Sequence, residues 1–184
     1  MTTRTNRRRY DARQEIIDAI LASRATSRIL KKKSGIKRYL QQYFVNVPYE
    51  DLAGRDPEIM ARVALDHLEF GANRRRGEAL LRIFNANEKE HGYTSTFTFV
   101  EMINDDMPFL VDSVAAAINH QKLAVHITVH PIISVKRVNG GKLTAVTTPD
   151  HADAYSESFI RFAISRTTDE KVIKALRKVI VKTL

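Results

Sequence analysis

Residues 100–113 read Val-Glu-Met-Ile-Asn-Asp-Asp-Met-Pro-Phe-Leu-Val-Asp-Ser. The β-branched and aromatic residues that lead into this stretch, from Thr96 to Val100, are typical of a strand. After it, apolar residues recur at helical spacing from Leu110 onward. Proline suits the first turn of a helix, where its missing N–H leaves no bond unmade, so a helix is predicted to start near Pro108. The stretch therefore predicts a strand, an acidic turn and a helix in immediate succession.

The acidic turn has two interpretations, which are helix capping and ligand binding. A carboxylate beside the first turn of a helix caps its unpaired N–H groups and complements its dipole, and Asp106 is the favoured residue for this role. Alternatively, the N–H groups of a strand-to-helix turn are available to an anion or to the carboxylate of an amino acid. Asn104, Asp105, Asp106 and Met107 are therefore a candidate ligand or interface turn.

The remaining strands are predicted from alternation and turn chemistry. Apolar and polar residues alternate from Leu123 to Val135. Glycine tolerates positive φ, so Asn139-Gly140-Gly141 predicts a hairpin turn. Thr167 with Glu170 resembles a capping box that opens a final helix. Three further strands are predicted at Ala79 to Asn85, Lys142 to Val146 and Ser158 to Ser165.

From the strand at Thr96 onward, the order strand, helix, strand, strand, helix is most of a βαββαβ unit. The predicted fold class is α+β, with a helical amino-terminal segment followed by an incomplete ferredoxin-like domain that lacks its last strand. In this fold the missing strand would pair with the first. We therefore expect Thr96 to Met102 to form an unpaired edge that invites pairing between subunits.

The amino-terminal part carries the positive charge. Twelve basic and three acidic residues precede Val47, which accounts for the net charge of +9 of the whole chain. We expect disorder from Met1 to Arg9, then a helix from about Asp11 to Ala22. Further helices are predicted after Ser34 and after Asp56. The predicted domains are a basic arm at 1–46, a helical segment at 47–92 and the ferredoxin-like domain at 93–184.

The chain shows no catalytic constellation. Cysteine is absent, which excludes disulfides and thiolate chemistry, and no dinucleotide-binding, phosphate-loop or nucleophile-elbow motif occurs. Four residues of strand span about 13 Å, so His126 and His130 are not expected to share a metal ion. His67 is interpreted as a packed core residue, and Arg74-Arg75-Arg76 as a basic helix end. No catalytic, cofactor-binding or metal residues are therefore predicted, and no spanning segment or signal peptide is recognised.

Residues 100–113, followed by Val-His-Ile-Thr-Val-His-Pro at 125–131 and Asn-Gly-Gly-Lys-Leu at 139–143, resemble the large bacterial NAD-dependent glutamate dehydrogenases. The resemblance covers roughly Tyr39 to Ser165 and lies in the amino-terminal, ACT-like regulatory region of that family. It implies a cytoplasmic oligomer in which the remainder of a long dehydrogenase chain carries the NAD chemistry. Amino-acid-binding ACT domains typically have glycine after the proline of this turn, whereas this chain has Phe109.

Two alternatives remain open. One is a free-standing sensor of ACT type that binds an amino-acid effector at the turn. The other is an RNA-binding ferredoxin-like module that uses the basic arm from Arg4 to Arg38. The second is disfavoured because the strands lack exposed aromatic residues on which bases stack, and Phe97 and Phe99 are better explained as core.

Overall fold

The computed structural model describes residues 2–30, 35–138 and 140–184. Met1, residues 31–34, which include part of the predicted basic arm, and Asn139 of the predicted hairpin turn lie outside the described residues. The helices are α1 (Thr2–Ala22), α2 (Arg24–Leu30), α3 (Ile36–Tyr43), α4 (Tyr49–Leu52), α5 (Pro57–Phe70), α6 (Glu88–His91), α7 (Leu110–His120) and α8 (Glu170–Thr183). The strands are β1 (Leu80–Asn85), β2 (Thr98–Asp105), β3 (Val125–Val129), β4 (Ile132–Val138), β5 (Lys142–Val146) and β6 (Tyr155–Ile164).

The described elements form three layers, with the sheet in the middle. Helices α1 to α5 cover one face, where Tyr39 of α3 and Leu68 of α5 share a core with Phe159 of β6. Helices α7 and α8 cover the other face, where Val114 and Leu176 share a second core with Phe162. Residues that alternate along β2 and β6 therefore face two different helical layers.

The sheet has the strand order β1-β2-β6-β4-β5, and β3 pairs with the second half of β6. All of its pairings are antiparallel. Strands β3 and β4 lie along the same side of β6 and are separated at His130 and Pro131. Taken together, β2, α7, β3 with β4, β6 and α8 give the ferredoxin-like order. The predicted α+β class with a ferredoxin-like part is confirmed.

The prediction of an open edge beside β2 is wrong. Strand β1 pairs with β2 along its whole length, from Leu80 opposite Ile103 to Asn85 opposite Thr98. It therefore occupies the position that the last strand of a ferredoxin-like fold would take. An earlier segment of the same chain thus takes the place of that strand. The order of elements in the sequence does not predict this pairing, because β1 precedes the βαββαβ unit to which it is added.

Several element boundaries differ from prediction. Helix α1 begins at Thr2 rather than near Asp11, and no glycine or proline interrupts the sequence before Gly35. The predicted strand from Leu123 is divided at Pro131, which has no N–H to donate to a ladder. Strand β6 begins at Tyr155 rather than at Ser158, because its first residues pair with β4.

The cap of α8 also differs from prediction. Asp169 caps the helix by accepting from the Lys171 amide at 2.8 Å. Thr167 instead accepts from the Asp169 amide at 3.3 Å and donates its own amide to Thr98 at 2.9 Å. The predicted capping box at Thr167 is therefore wrong by two residues.

Other predictions are confirmed. Helix α3 follows Ser34, Asp56 accepts from the Glu58 amide at the start of α5, and β4 and β5 form a hairpin. Gly140 and Gly141 have φ of 83° and 88°, the conformation for which the turn was predicted. The division into segments 1–46, 47–92 and 93–184 stays a prediction.

Candidate functional site

The turn between β2 and α7 satisfies its polar side chains internally. Asn104 accepts from the Asp105 amide at 2.9 Å, and its Nδ2 lies 3.5 Å from the sulfur of Met107. Asp105 accepts from Arg74 at 2.6 Å and from the Gly77 amide at 3.0 Å. Asp106 accepts from the hydroxyl of Ser158 at 2.8 Å. The structure therefore brings the four predicted turn residues together, with each carboxylate held by the protein itself.

Capping by Asp106 is a wrong prediction. Helix α7 has no side-chain cap, and its N-cap residue is Phe109. Phe109 has φ of 62°, a left-handed conformation that is uncommon for a bulky residue. Its side chain is 78% exposed, and that of Met107 is 46% exposed. The turn presents apolar side chains to solvent and directs its carboxylates back into the fold.

A buried group of charges lies behind this turn, and we call Arg74, Asp105, Arg137 and Glu157 the Glu157 cluster. Arg74 Nη1 donates to Glu157 Oε1 at 2.6 Å. Arg137 binds the same carboxylate through two N–H groups, each at 2.8 Å. The side chains of Arg74 and Glu157 are fully buried. Bidentate Arg–carboxylate pairs of this kind are the strong, geometrically specific form of ion pair.

Backbone groups complete the Glu157 cluster. Arg74 donates to the Glu78 carbonyl at 2.7 Å, and Arg137 donates to the carbonyls of Gly71 and Gly141 at 2.8 Å each. Gly141 lies against the Arg74 backbone, so a Cβ there would collide with it. The interpretation of Arg74 as part of a basic helix end is wrong, because α5 ends at Phe70. Arg74 instead joins the segment after α5 to β6.

A second buried group, Asp66, Arg82, Glu101 and Arg161, forms the Glu101 cluster. Arg82, Glu101 and Arg161 lie directly opposite one another on β1, β2 and β6. Arg161 Nη1 donates to Glu101, and Arg82 Nε donates to the other oxygen of Glu101 at 2.7 Å. Arg82 also donates to Asp66 of α5 at 2.7 Å. The cluster joins three strands to the helical layer.

Aromatic rings surround the guanidinium groups of this cluster. Arg161 lies 3.8 Å from the centre of the Phe99 ring, and Arg82 lies 4.6 Å from both Phe70 and Phe84. Arg161 also donates to the hydroxyl of Tyr93 at 3.0 Å. Such contacts are favourable for a guanidinium held away from water. Arg161 is therefore bound by the Glu101 carboxylate and the Tyr93 hydroxyl, and one face of its guanidinium contacts the Phe99 ring.

Burial and neighbouring charge oppose each other at Glu101. Burial alone would raise the pKa of its carboxyl, while the neighbouring His67, Arg161 and Arg82 lower it. The net direction is downward, so Glu101 is ionised at neutral pH. Burial raises the pKa of the nearby Tyr93 to about 12. Glu101 and the two arginines bound to it are therefore charged near neutral pH.

His67 is a packed histidine, as predicted. It is fully buried, and its Nδ1 lies 2.9 Å from the hydroxyl of Tyr43. Its ring also contacts Phe159 edge to face. Burial lowers the pKa of His67 to about 4, so the ring is neutral at neutral pH.

The two histidines near the β3–β4 junction bind different serines. His126 Nε2 lies 3.2 Å from Ser165 Oγ, and His130 Nε2 lies 3.2 Å from Ser158 Oγ. Burial lowers the pKa of His130, against the opposing effect of Asp106. Within residues 2–30, 35–138 and 140–184, no group of three His, Asp or Glu side chains is placed to hold a metal ion.

Sequence reasoning missed both charge clusters, although one signal for the second was present. Glu101 interrupts an otherwise apolar row on β2, and Arg161 interrupts the equivalent row on β6. Opposite charges at the centres of two apolar rows indicate cross-strand pairing. The Glu157 cluster had no such signal, since Arg74 and Glu157 are 83 residues apart in the sequence.

The turn before α7 does not fit NAD, the cofactor that the resemblance implies for the parent. A dinucleotide site needs glycines and unoccupied N–H groups beside the pyrophosphate. Here Asp105, Asp106 and the bulky Phe109 occupy that position. No step of dehydrogenase chemistry is therefore assigned to residues of this chain.

The order of strands, the helices on each face and the β2–α7 turn define an α+β domain of the ACT-like, ferredoxin type. The sequence model of the family described as "Glutamate dehydrogenase, ACT1 domain" matches residues 39–180. The chain belongs to this family.

Two curated relatives agree with this assignment. The NAD-specific glutamate dehydrogenase of Halomonas elongata is 29% identical over 167 residues, which cover 89% of this chain and 10% of the relative. That of Pseudomonas aeruginosa is 27% identical over 148 residues, covering 79% of this chain and 9% of the relative. The chain thus spans about a tenth of the length of these relatives. No solved structure matches the chain significantly.

Among the described residues, no helix is both long and apolar enough to cross a membrane.

Proposed function

We propose that this chain is the amino-terminal regulatory or assembly domain of a large, cytoplasmic NAD-dependent glutamate dehydrogenase. The observation that carries the proposal is the family match over residues 39–180 in a chain that spans about a tenth of its relatives. In this proposal the parent enzyme oxidises L-glutamate with NAD to 2-oxoglutarate, ammonia and NADH. The catalytic residues lie in the remainder of the parent.

Assembly is favoured over effector binding at the β2–α7 turn. An amino-acid effector needs unoccupied polar groups, yet Asp105 and Asp106 already accept hydrogen bonds from Arg74 and Ser158. An interface instead needs apolar side chains fixed in exposed positions. Phe109 and Met107 meet this requirement. The partner in the proposal is the remainder of the dehydrogenase chain or another subunit of the homo-oligomer.

The first test is to read the gene beyond the codon for Leu184. A long in-frame extension that encodes a dinucleotide-binding fingerprint supports the dehydrogenase proposal. A stop codon at that point removes it and favours a free-standing ACT-type sensor. The protein that the gene encodes is then purified and assayed for NAD-dependent oxidation of L-glutamate.

The second test addresses the turn in that encoded protein. Phe109→Ser is expected to weaken subunit assembly, measured as the distribution of masses at falling protein concentration. Val181→Ser is the matched control, because Val181 is an exposed apolar residue on α8, 57% accessible. Unchanged assembly in Phe109→Ser contradicts the role of the turn and leaves the family assignment intact.

A third test separates assembly from sensing. Calorimetric titration of the chain with L-glutamate, 2-oxoglutarate and the common amino acids is expected to give no heat of binding at the turn. Saturable heat that Asp106→Asn abolishes favours the effector alternative instead.

A further inference from the structure

A cavity of about 280 Å³ lies between the helical layer and the sheet. Its walls come from the α3–α4 connection, from α5 and from β2, β3 and β6. Phe44, Met60, Phe99 and Val129 are among the apolar side chains that line it. Protein interiors rarely leave voids much larger than a water molecule. This space is larger than the apolar cavity of about 150 Å³ that is known to bind benzene.

The lining determines what the cavity accepts. Most of its walls are aliphatic or aromatic, and the aromatic lining includes Phe97, just before β2, and Phe99, on β2 itself. Of the polar lining residues, Arg55, Asp56 and Thr94 are exposed and Asp51 is half-buried, so this polar group marks the mouth of the cavity. Ligand sites in proteins share this design of an apolar body with a few polar groups at one end. The body of the ligand is therefore apolar and flat enough to lie beside aromatic rings.

The charges around the cavity argue against an anion. Arg161 is the cation in its wall, but Glu101 neutralises it, and Tyr93 takes another of its donors. At the mouth, Asp51 and Asp56 outnumber Arg55, whose Nε donates to the Asp51 carbonyl at 2.5 Å. A carboxylate that entered would lose its water shell beside Arg161, whose charge Glu101 already neutralises, and near the carboxylates of Asp51 and Asp56. An uncharged molecule incurs no such cost.

We propose that this cavity binds an uncharged, planar aromatic molecule of about the size of indole. The site lies on the opposite face of the sheet from α7 and α8 and is separate from the β2–α7 turn. It contacts the helical layer through Met60 and the sheet through Val129, so an occupant contacts both layers at once.

The test titrates indole into the chain of 184 residues and follows the methyl groups by NMR. Saturable shifts are expected at Ile59, Met60, Ile127 and Val129, which line the cavity. Methyl groups of Leu176 and Ile180, which lie in the core on the other face, are expected to stay unchanged. Absence of saturation up to the solubility limit of indole overturns the proposal, as do shifts confined to the other face.

Two variants fill the cavity from different elements. Ala163→Leu fills it from β6, and Val63→Phe fills it from α5. Each is expected to weaken indole binding about tenfold or more, because the added atoms occupy the space that the ligand needs. Ala116→Leu, on the exposed face of α7, is the matched control and should leave the affinity unchanged. Wild-type affinity in both filled variants, with cooperative unfolding retained, contradicts the assignment.

A charged analogue of indole tests whether the cavity prefers an uncharged ligand. Indole-3-acetate carries the same ring with a carboxylate and is expected to bind about tenfold more weakly than indole. Equal or tighter binding of indole-3-acetate overturns the inference that the ligand is uncharged. If Ala163→Leu fails to fold, Val63→Phe and the wild-type shift map decide the outcome.

Discussion

The two faces of β2 and β6 use opposite means to hold a helical layer. Towards α7 and α8, the two strands present only apolar side chains at their centres, among them Val100, Met102 and Phe162. Towards α5, the same strands place Glu101 opposite Arg161, and they place Asp105 and Glu157 side by side, where Arg74 donates to both carboxylates. Apolar burial is non-directional, so several arrangements satisfy it almost equally well. Buried ion pairs need each partner in place, and they fix how β1, α5 and the β4–β5 hairpin meet the sheet.

Substitutions on the two faces should therefore lower the free energy of unfolding in different ways. Loss of volume on the apolar face costs a graded amount that depends on the cavity left behind. Loss of one charge on the other face leaves a buried ion unpaired, which costs more than the pair contributed. Single substitutions on each face test this difference.

Glu157→Gln is expected to lower the free energy of unfolding by about 4 kcal/mol, because Arg74 and Arg137 stay buried without their shared carboxylate. Urea unfolding at neutral pH measures this loss. Glu170→Gln is the control, since Glu170 is 83% exposed and pairs with Lys174 in the i, i+4 position on the surface of α8. It should change stability by less than about 0.5 kcal/mol. Equal effects in both variants would show that burial of the cluster is energetically unimportant.

Variants of the Glu101 cluster test whether its charges contribute to stability cooperatively. Glu101→Met alone leaves Arg161 buried without its carboxylate and leaves Arg82 with only Asp66, so it should be strongly destabilising. The triple replacement of Arg82, Glu101 and Arg161 by Met turns this row into a copy of the apolar face. It should be more stable than the single variant by about 3 kcal/mol, because no buried arginine is left without its carboxylate. Additive losses in a complete mutant cycle would contradict coupling.

His67 makes the charged side of the sheet sensitive to acid. Burial lowers its pKa from 6.5 to about 4, so the native state binds fewer protons than the unfolded state between these values. Stability should therefore fall as the pH drops from 6.5 towards 4, by about 3 kcal/mol in total at about 1.4 kcal/mol per pKa unit. His67→Gln keeps a partner for Tyr43 and should abolish this component of the pH dependence. Urea unfolding at pH 7, 5.5 and 4.5 compares the two proteins, and parallel curves would refute the assignment.

Ile160→Val samples the apolar face and has the smallest expected effect. Ile160 is fully buried against the α7 and α8 layer. Removal of one methyl group should cost about 1 kcal/mol, with no change in pH dependence, because no charge is disturbed. Thermal unfolding at pH 7 and pH 5 provides the comparison. A pH-dependent loss would indicate that the two faces are coupled through the sheet.

The apolar face is the part of the fold that the sequence predicts well. Ile160, Phe162 and Ile164 alternate along β6, Leu176 and Ile180 recur at helical spacing along α8, and all five lie in the core on this face. These positions follow from local periodicity, which needs no knowledge of the partner. The starts of α3 and α5 were likewise found from local signals.

The charged face and the candidate turn depend on partners that are distant in sequence. Asp106 was expected to cap the helix that follows it, but Ser158 takes its carboxylate. Arg74 resembles a surface residue in a basic triplet, and only the folded chain brings it to Glu157. The placement of β1 was missed for a similar reason, since the usual order of the fold reserves its position for a later strand. Local chemistry does not indicate which of several distant partners a side chain will meet.

The position of β1 affects how the chain emerges during synthesis. Strand β1 is made before β2, and the two pair across a short connection, with Asn85 opposite Thr98. Strand β6, which covers the other edge of β2, arrives much later, with Ile164 opposite the same Thr98. A nascent β2 therefore exposes one free edge while it waits, whereas the usual ferredoxin-like order would leave both edges open. Fewer open edges on a growing chain mean fewer opportunities for aggregation before the domain is complete.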